Sequence, residues 1–301
     1  MYSELIRNYK SLGIKSLRDN KNWGFSEIGA CLGVRPFITT KGFTTIYTAY
    51  TESYVDTVLG KCWVQLNWLN QNTDGGMKRL RQKIDNIKHK RASLVDSEGI
   101  EFGRMADIEG ITADHPRKIR GERVDRLLFE EAGSNPILST SWTQGTALVE
   151  LGGARVGIKI AWGTGGDMGP ALAGLAKMFE DPLSAGVLPY KNFYSDDGTA
   201  QYTGFFIPAY EFMMRPGYVD NRGVTDTKRA KAFYEEQRKL KSGERLLEYC
   251  SEYCFTPKEA LLRQGENIFD SVLIADRITQ IRVHKMGTSP QHIALLWDRE
   301  D

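Results

Sequence analysis

The chain lacks several features that would place it in a narrow class. No apolar run approaches the ~18 residues that a membrane span requires, and the opening MYSELIRNYKSLG has no signal-peptide core. Cysteine is scarce: Cys31, Cys62, Cys250 and Cys254 are the full set of 4. So few and so scattered, they exclude a disulfide framework and lead us to expect a reducing compartment. Cys250 and Cys254 are one helical turn apart, but only His284 and His292 follow them, at a spacing that fits no zinc finger. Two half-buried helix cysteines are the better reading. Charge of one sign is lacking too, since 40 Lys and Arg against 38 Asp and Glu leave a net +2. That balance does not announce a nucleic-acid binder, although a local basic patch fits within it.

What is present is alternation. Residues 2–12 carry a helical stripe (Leu5, Ile6, Tyr9, Leu12), and WGFSEIGACLGV (23–34) reads as a turn entering a small-residue helix. FTTIYTAYT (43–51) is rich in β-branched and aromatic residues and predicts a buried strand. An amphipathic helix is expected over 53–68, and MKRLRQKIDNIKHKR (77–91) predicts a strongly basic second one. Strands are expected at IEFGRMADI (100–108), VDRLLFEE and RVGIKIAWGTGGD (155–167), with a glycine-stopped helix at SWTQGTALVELGG. Strands alternating with helices predict an α/β fold, a mostly parallel sheet with helices on both faces. Regularity weakens after Ser184, which divides the chain into residues 1–184 and a smaller, irregular segment, 185–301.

Three segments carry candidate chemistry. In RVDRLLFEEAG an apolar run ends in adjacent carboxylates, Glu130 and Glu131. Functional groups on parallel sheets gather beyond the carboxyl ends of the strands. There, one acid can hold magnesium while the next polarises an attacking water. Two solvated glutamates at an ordinary strand end would read the same way. KIAWGTGGD repeats the arrangement, with Gly163, Thr164 and Gly165 where a second strand leaves the sheet. KNWGFSEIGA offers Gly24 and Ser26 ahead of a helix, the start of a phosphate-binding loop. Phe25, however, stands where lysine is usual, so a cation must come from elsewhere; Lys21 is nearest, with Arg18 and Lys15 behind it.

In this order the segments resemble the ATPase domain of phage large terminase subunits, the motors that pump double-stranded DNA into procapsids. Lys21-Asn22-Trp23-Gly24-Phe25-Ser26 fits the family's deviant loop, in which the cation moves to the front. The resemblance implies a P-loop NTPase fold of the ASCE, RecA-like kind. It implies that Lys21, Gly24, Phe25, Ser26 and Glu27 bind ATP, that Ser26 and Glu130 hold Mg2+, and that Glu131 is the catalytic glutamate. Glu130 departs from the family's usual aspartate. Gly163, Thr164 and Gly165 look like the coupling motif, while TGFFIPAY and EYCFTPKEALLRQGENIFD resemble the family's linker. The likeness spans residues 15–275.

Further expectations follow from the resemblance. The partners would be double-stranded DNA, a portal protein, a small terminase subunit and further copies in a ring, in the host cytoplasm and away from membranes. Relatives carry a C-terminal nuclease, for which this chain, ending at Asp301, leaves no room, so nuclease activity is not expected. Arg117 or Arg120, beside Lys118, either reaches a neighbouring subunit as an arginine finger or is a plain loop charge. The basic segment Lys78, Arg79, Arg81, Lys83, Lys88, Lys90 and Arg91 either tracks DNA phosphates or is a solvated face. Two other readings stand beside the motor: a non-catalytic packaging component with a decayed nucleotide site, and a helicase-like ATPase.

Overall fold

The computed structural model describes residues 24–73, 84–115, 118–119, 121, 123–164, 172–194, 201–213 and 215–261. Lys15, Arg18, Lys21, Lys78, Arg79, Arg81, Lys83, Arg117, Arg120 and Gly165 lie outside them.

A five-stranded sheet organises this region. Its central strand β1 (Thr44–Ala49) is flanked by two parallel neighbours, β3 (Glu101–Thr112) and β4 (Arg126–Phe129). Strand β7 (Ile158–Ala161) adds to β4 in parallel, and β2 (His89–Val95) closes the far edge antiparallel to β3. The spatial order is β2-β3-β1-β4-β7. The connections from β1 to β3 and from β4 to β7 run through helices or long excursions, as parallel pairing demands. This is the α/β architecture expected from the alternation, mostly parallel with one antiparallel edge.

Alternation within β1 sorts its side chains to two cores. Tyr47 and Ala49 face one layer with helices α1 (Phe25–Thr39) and α2 (Glu52–Asn72). Ile46 faces the other, which it shares with Leu127 and Phe129 of β4 and with Leu138 and Trp142 of helix α3 (Leu138–Gln144). Helix α4 (Leu172–Glu180) joins this second layer through Leu175 and Met178. Burying both faces explains why β4 reads as a continuous apolar run.

Helix α1 continues beyond the expected residue 34 to Thr39 and contains Pro36. Proline has no N–H for the carbonyl one turn back, that of Leu32. The Arg126 guanidinium, at the start of β4, donates to that oxygen and so permits the extension.

Two sequence expectations are corrected. The predicted basic helix over 77–91 is, across its described part, a turn leading into β2. Ladder bonds to β3 override the helical propensity of this stretch. The described cations are paired: Lys88 with Asp56 and Glu52, Lys90 with Asp85, and Arg91 with Asp107 at 2.9 Å. The helix expected over SWTQGTALVELGG ends early, because a 3-10 turn (Gly145–Leu148) and a small hairpin intervene. That hairpin is β5 (Glu150–Leu151) and β6 (Ala154–Arg155), and Gly152 and Gly153 form its turn rather than a helix stop.

Farther along lie a second hairpin, β8 (Tyr190–Asn192) with β9 (Gln201–Thr203), and helices α5 (Thr227–Lys239), α6 (Glu244–Glu252) and α7 (Pro257–Ala260). Ala209, Met213, Ala230 and Tyr234 form a third core, rimmed by aromatic rings. Arg238 fastens it, forking onto both Glu259 oxygens at 2.7 Å and lying 3.6 Å over the Phe255 ring. Among the described residues, no helix is long and apolar enough to cross a membrane.

Candidate nucleotide site

The acids at the end of β4 are pulled apart by the backbone. The Glu130 amide still donates to the Thr48 carbonyl at 2.8 Å, extending the β1–β4 ladder by one bond. Glu131 then turns to φ 46, ψ 49, the left-handed region that side-chain-bearing residues rarely occupy. Such a conformation costs on the order of 1–3 kcal/mol and persists only where its surroundings hold it. Here the turn sends the two carboxylates to different partners, which lowers the cost of placing like charges side by side.

Glu130 turns inward. It is 3% exposed, and the Ser26 hydroxyl of α1 donates to its Oε1. Its Oε2 is buried without a hydrogen-bond partner. Burial pushes its pKa up to about 7, the Ser26 hydrogen bond opposes the rise, and the Glu131 charge adds to it. A buried carboxylate left half-satisfied is costly. With the Ser26 hydroxyl it forms a pair of hard oxygen donors suited to Mg2+. That ion keeps waters and takes phosphate oxygens, so it does not require a cage of protein ligands. Among the described residues, no group of three or more His, Cys, Asp or Glu residues able to hold a metal occurs.

Glu131 is oriented by the next strand. Its Oε2 accepts from the Thr164 amide at 3.4 Å. The two turns are themselves in backbone contact: the Ala132 amide donates to the Trp162 carbonyl at 2.8 Å, and the Trp162 amide to the Phe129 carbonyl at 3.1 Å. Glycine is required on both sides. A Cβ on Gly163 would lie 2.8 Å from the Ala132 nitrogen, and one on Gly133 would lie 2.2 Å from the Thr164 oxygen.

Helix α1 brings Ser26 to this point. Gly24 begins it at φ 73, and the Ile28 amide donates back to the Gly24 carbonyl at 2.8 Å. The helix lies close on the sheet because Gly29 and Gly33 share one face. A Cβ on Gly29 would meet the Trp162 ring at 2.5 Å, and one on Gly33 the Tyr47 hydroxyl at 2.3 Å. Tyr47 fixes the helix, donating to the Gly29 carbonyl at 2.7 Å and accepting from the Gly33 amide at 3.1 Å.

The structure thus brings together Gly24, Ser26, Glu130, Glu131, Gly163 and Thr164. Phe25 opens the same helix, half-buried. Glu27 points toward α2, where Lys61 pairs with its Oε1 at 2.5 Å and Gln65 donates to its carbonyl at 3.2 Å. Lys118 pairs with Asp114 at 2.7 Å on the surface. Sequence reasoning missed Tyr47, Gly133, Lys61 and Gln65. For the Tyr47 clamp alone there was a signal, the four-residue spacing of Gly29 and Gly33, which marks a helix pressed against a neighbour.

No protein-family model matches the chain, and no curated protein matches it. Solved structures do. One is the Thermus phage P74-26 large terminase ATPase domain in an arginine-to-alanine mutant form, at 13% identity and TM-score 0.50. The alignment covers 77% of this chain and 84% of that one. The unmutated domain aligns over the same shares at 13% identity and TM-score 0.48. The first likeness, with the strand order and the helices on both faces, shows an α/β fold like that of this ATPase domain.

Proposed function

We propose that this chain is the ATPase of a viral DNA-packaging motor of the large-terminase type, coupling Mg-ATP hydrolysis to the translocation of double-stranded DNA. The observation that carries the reading is the Ser26–Glu130 contact. It joins the first turn of a helix entered through glycine to the acid pair at the end of a neighbouring strand, 104 residues away in sequence. A hydroxyl and a carboxylate in that relation form the metal-bearing corner of a phosphate site.

In this reading the α1 amides face the phosphates, and Lys21 approaches them from the front of the loop. Ser26 and Glu130 hold Mg2+, which when bound neutralises phosphate charge and orients the γ-phosphoryl group. Glu131, steadied by the Thr164 amide, takes the proton of the attacking water. Because Thr164 belongs to the adjacent strand exit, a displacement there on DNA engagement would re-aim Glu131, which makes 163–165 the coupling element. Arg117 or Arg120 acts on a neighbouring subunit of a homo-oligomeric ring, and Lys78, Arg79 and Arg81 meet DNA. Residues 185–301 would serve as the linker segment that follows the ATPase domain. A portal protein and a small terminase subunit, in the host cytoplasm, complete the set of proposed partners.

The test is ATP turnover with and without linear duplex DNA. We expect Mg2+-dependent hydrolysis that DNA accelerates. A protein that binds DNA yet neither binds nor hydrolyses ATP would instead be a packaging component with a decayed site.

A further inference from the structure

Phe25 stands where a loop lysine is usual, and α2 places a lysine beside the first turn of α1. Lys61 lies with its Nζ 2.5 Å from Oε1 of Glu27, in the first turn of α1 and next to Ser26. Two observations mark this helix start as a ligand site rather than a bare terminus. Ser26 donates to Glu130, and the other Glu130 oxygen is buried without a partner.

We propose that Lys61 is a phosphate-binding residue of this site, leaving Glu27 to pair with a polyphosphate oxygen when nucleotide enters. The inference rests on the nucleotide-site reading above. The geometry makes the exchange inexpensive. The Lys61 side chain is 26% exposed and keeps one wet side along which to move. A lysine is a point charge on a flexible stem, suited to changing partners in a way a fixed guanidinium fork is not. Glu27 is not stranded by the departure, because Gln65 Nε2 also reaches its Oε2 at 3.4 Å and its carbonyl at 3.2 Å. The Glu27–Lys61 pair is thus a parked cation: the carboxylate holds the ammonium at the first turn of α1 and yields it to a stronger anion.

The test titrates the purified chain with Mg-ATP by calorimetry in four forms: the parent, Lys61→Met, Glu27→Gln and the double variant. Thermal melts run in parallel. We expect Lys61→Met to weaken binding about 10- to 100-fold, the worth of a charge-assisted hydrogen bond. Glu27→Gln releases the ammonium without removing it, so its affinity should fall clearly less than that of Lys61→Met. The double variant restores charge balance and folding, so it should melt like the parent yet keep the binding loss. A purely structural ion pair predicts the opposite pattern, with equal losses in both single variants and recovery in the double. That pattern, or parental affinity in Lys61→Met, overturns the inference while leaving the nucleotide site standing. A parent that binds no Mg-ATP removes the nucleotide site, and this inference with it.

Discussion

The Thr164 amide donates to Oε2 of Glu131 at 3.4 Å, across a junction where Gly163 and Gly133 bring two chain turns into backbone contact. A carboxylate that accepts from a backbone amide just past the neighbouring strand is tied to that strand's exit. This explains the paired acids: a left-handed twist at Glu131 sends Glu130 inward to Ser26 and Glu131 across to Thr164.

The junction itself can be probed with one methyl group. Gly163→Ala would place a Cβ 2.8 Å from the Ala132 nitrogen and 2.9 Å from that of Gly133. Both neighbours are backbone and cannot step aside, so the turns must separate and Glu131 loses its aim. Hydrolysis should fall at least tenfold, with a lower melting temperature of about 1–3 kcal/mol equivalent. Parental turnover in this variant would detach the 163–164 turn from the mechanism.

At Glu130, charge can be separated from shape. Glu130→Gln keeps an oxygen to accept from Ser26 and removes a buried ionisable group, so the melting temperature should hold or rise. Magnesium dependence of ATP binding should largely disappear. If Mg2+ enhances ATP affinity equally in parent and variant, the metal is held elsewhere.

Lys159 supplies a pH signature of the fold. Its Nζ donates to the Trp142 carbonyl at 2.7 Å and the Thr146 hydroxyl at 2.6 Å, and sits 4.3 Å over the Trp142 ring. Burial first, then the charge of Arg155, lowers its pKa from 10.5 to about 8. Between those values the unfolded chain binds more protons than the folded one, so stability due to this residue rises with pH across that window. Below pH 8 the lysine is charged in both states and the dependence vanishes. Comparing melting temperatures of the parent and Lys159→Met at pH 7 and 9.5 isolates the effect. The difference should shift in the parent's favour at the higher pH, and a constant difference would contradict the assignment.

The sheet was legible in the sequence wherever burial wrote a pattern: TTIYTA and RLLF are strands because both their faces are covered. So was the pairing of an acid-ended strand with a glycine-rich exit on its neighbour. The segment HKRASLV was misread because its strand character comes from partners on β3, and Arg91 satisfies Asp107 on that strand. The length of α1 was hidden for a similar reason, since the donor that makes Pro36 tolerable is Arg126. Tyr47 looked like an ordinary strand aromatic, whereas its hydroxyl, the clamp on Gly29 and Gly33, is visible only once the helix is in place.

The central claim is that Glu131 activates water for ATP hydrolysis, and Glu131→Gln measures it most directly. The substitution keeps size and an acceptor oxygen for the Thr164 amide while removing basicity. Mg-ATP affinity and steady-state turnover should be determined on the same preparation, with and without linear duplex DNA. The account predicts affinity within about twofold of the parent and turnover reduced by roughly 10²-fold or more, in line with losing a general base. Turnover at the parental rate, with or without DNA, would contradict it.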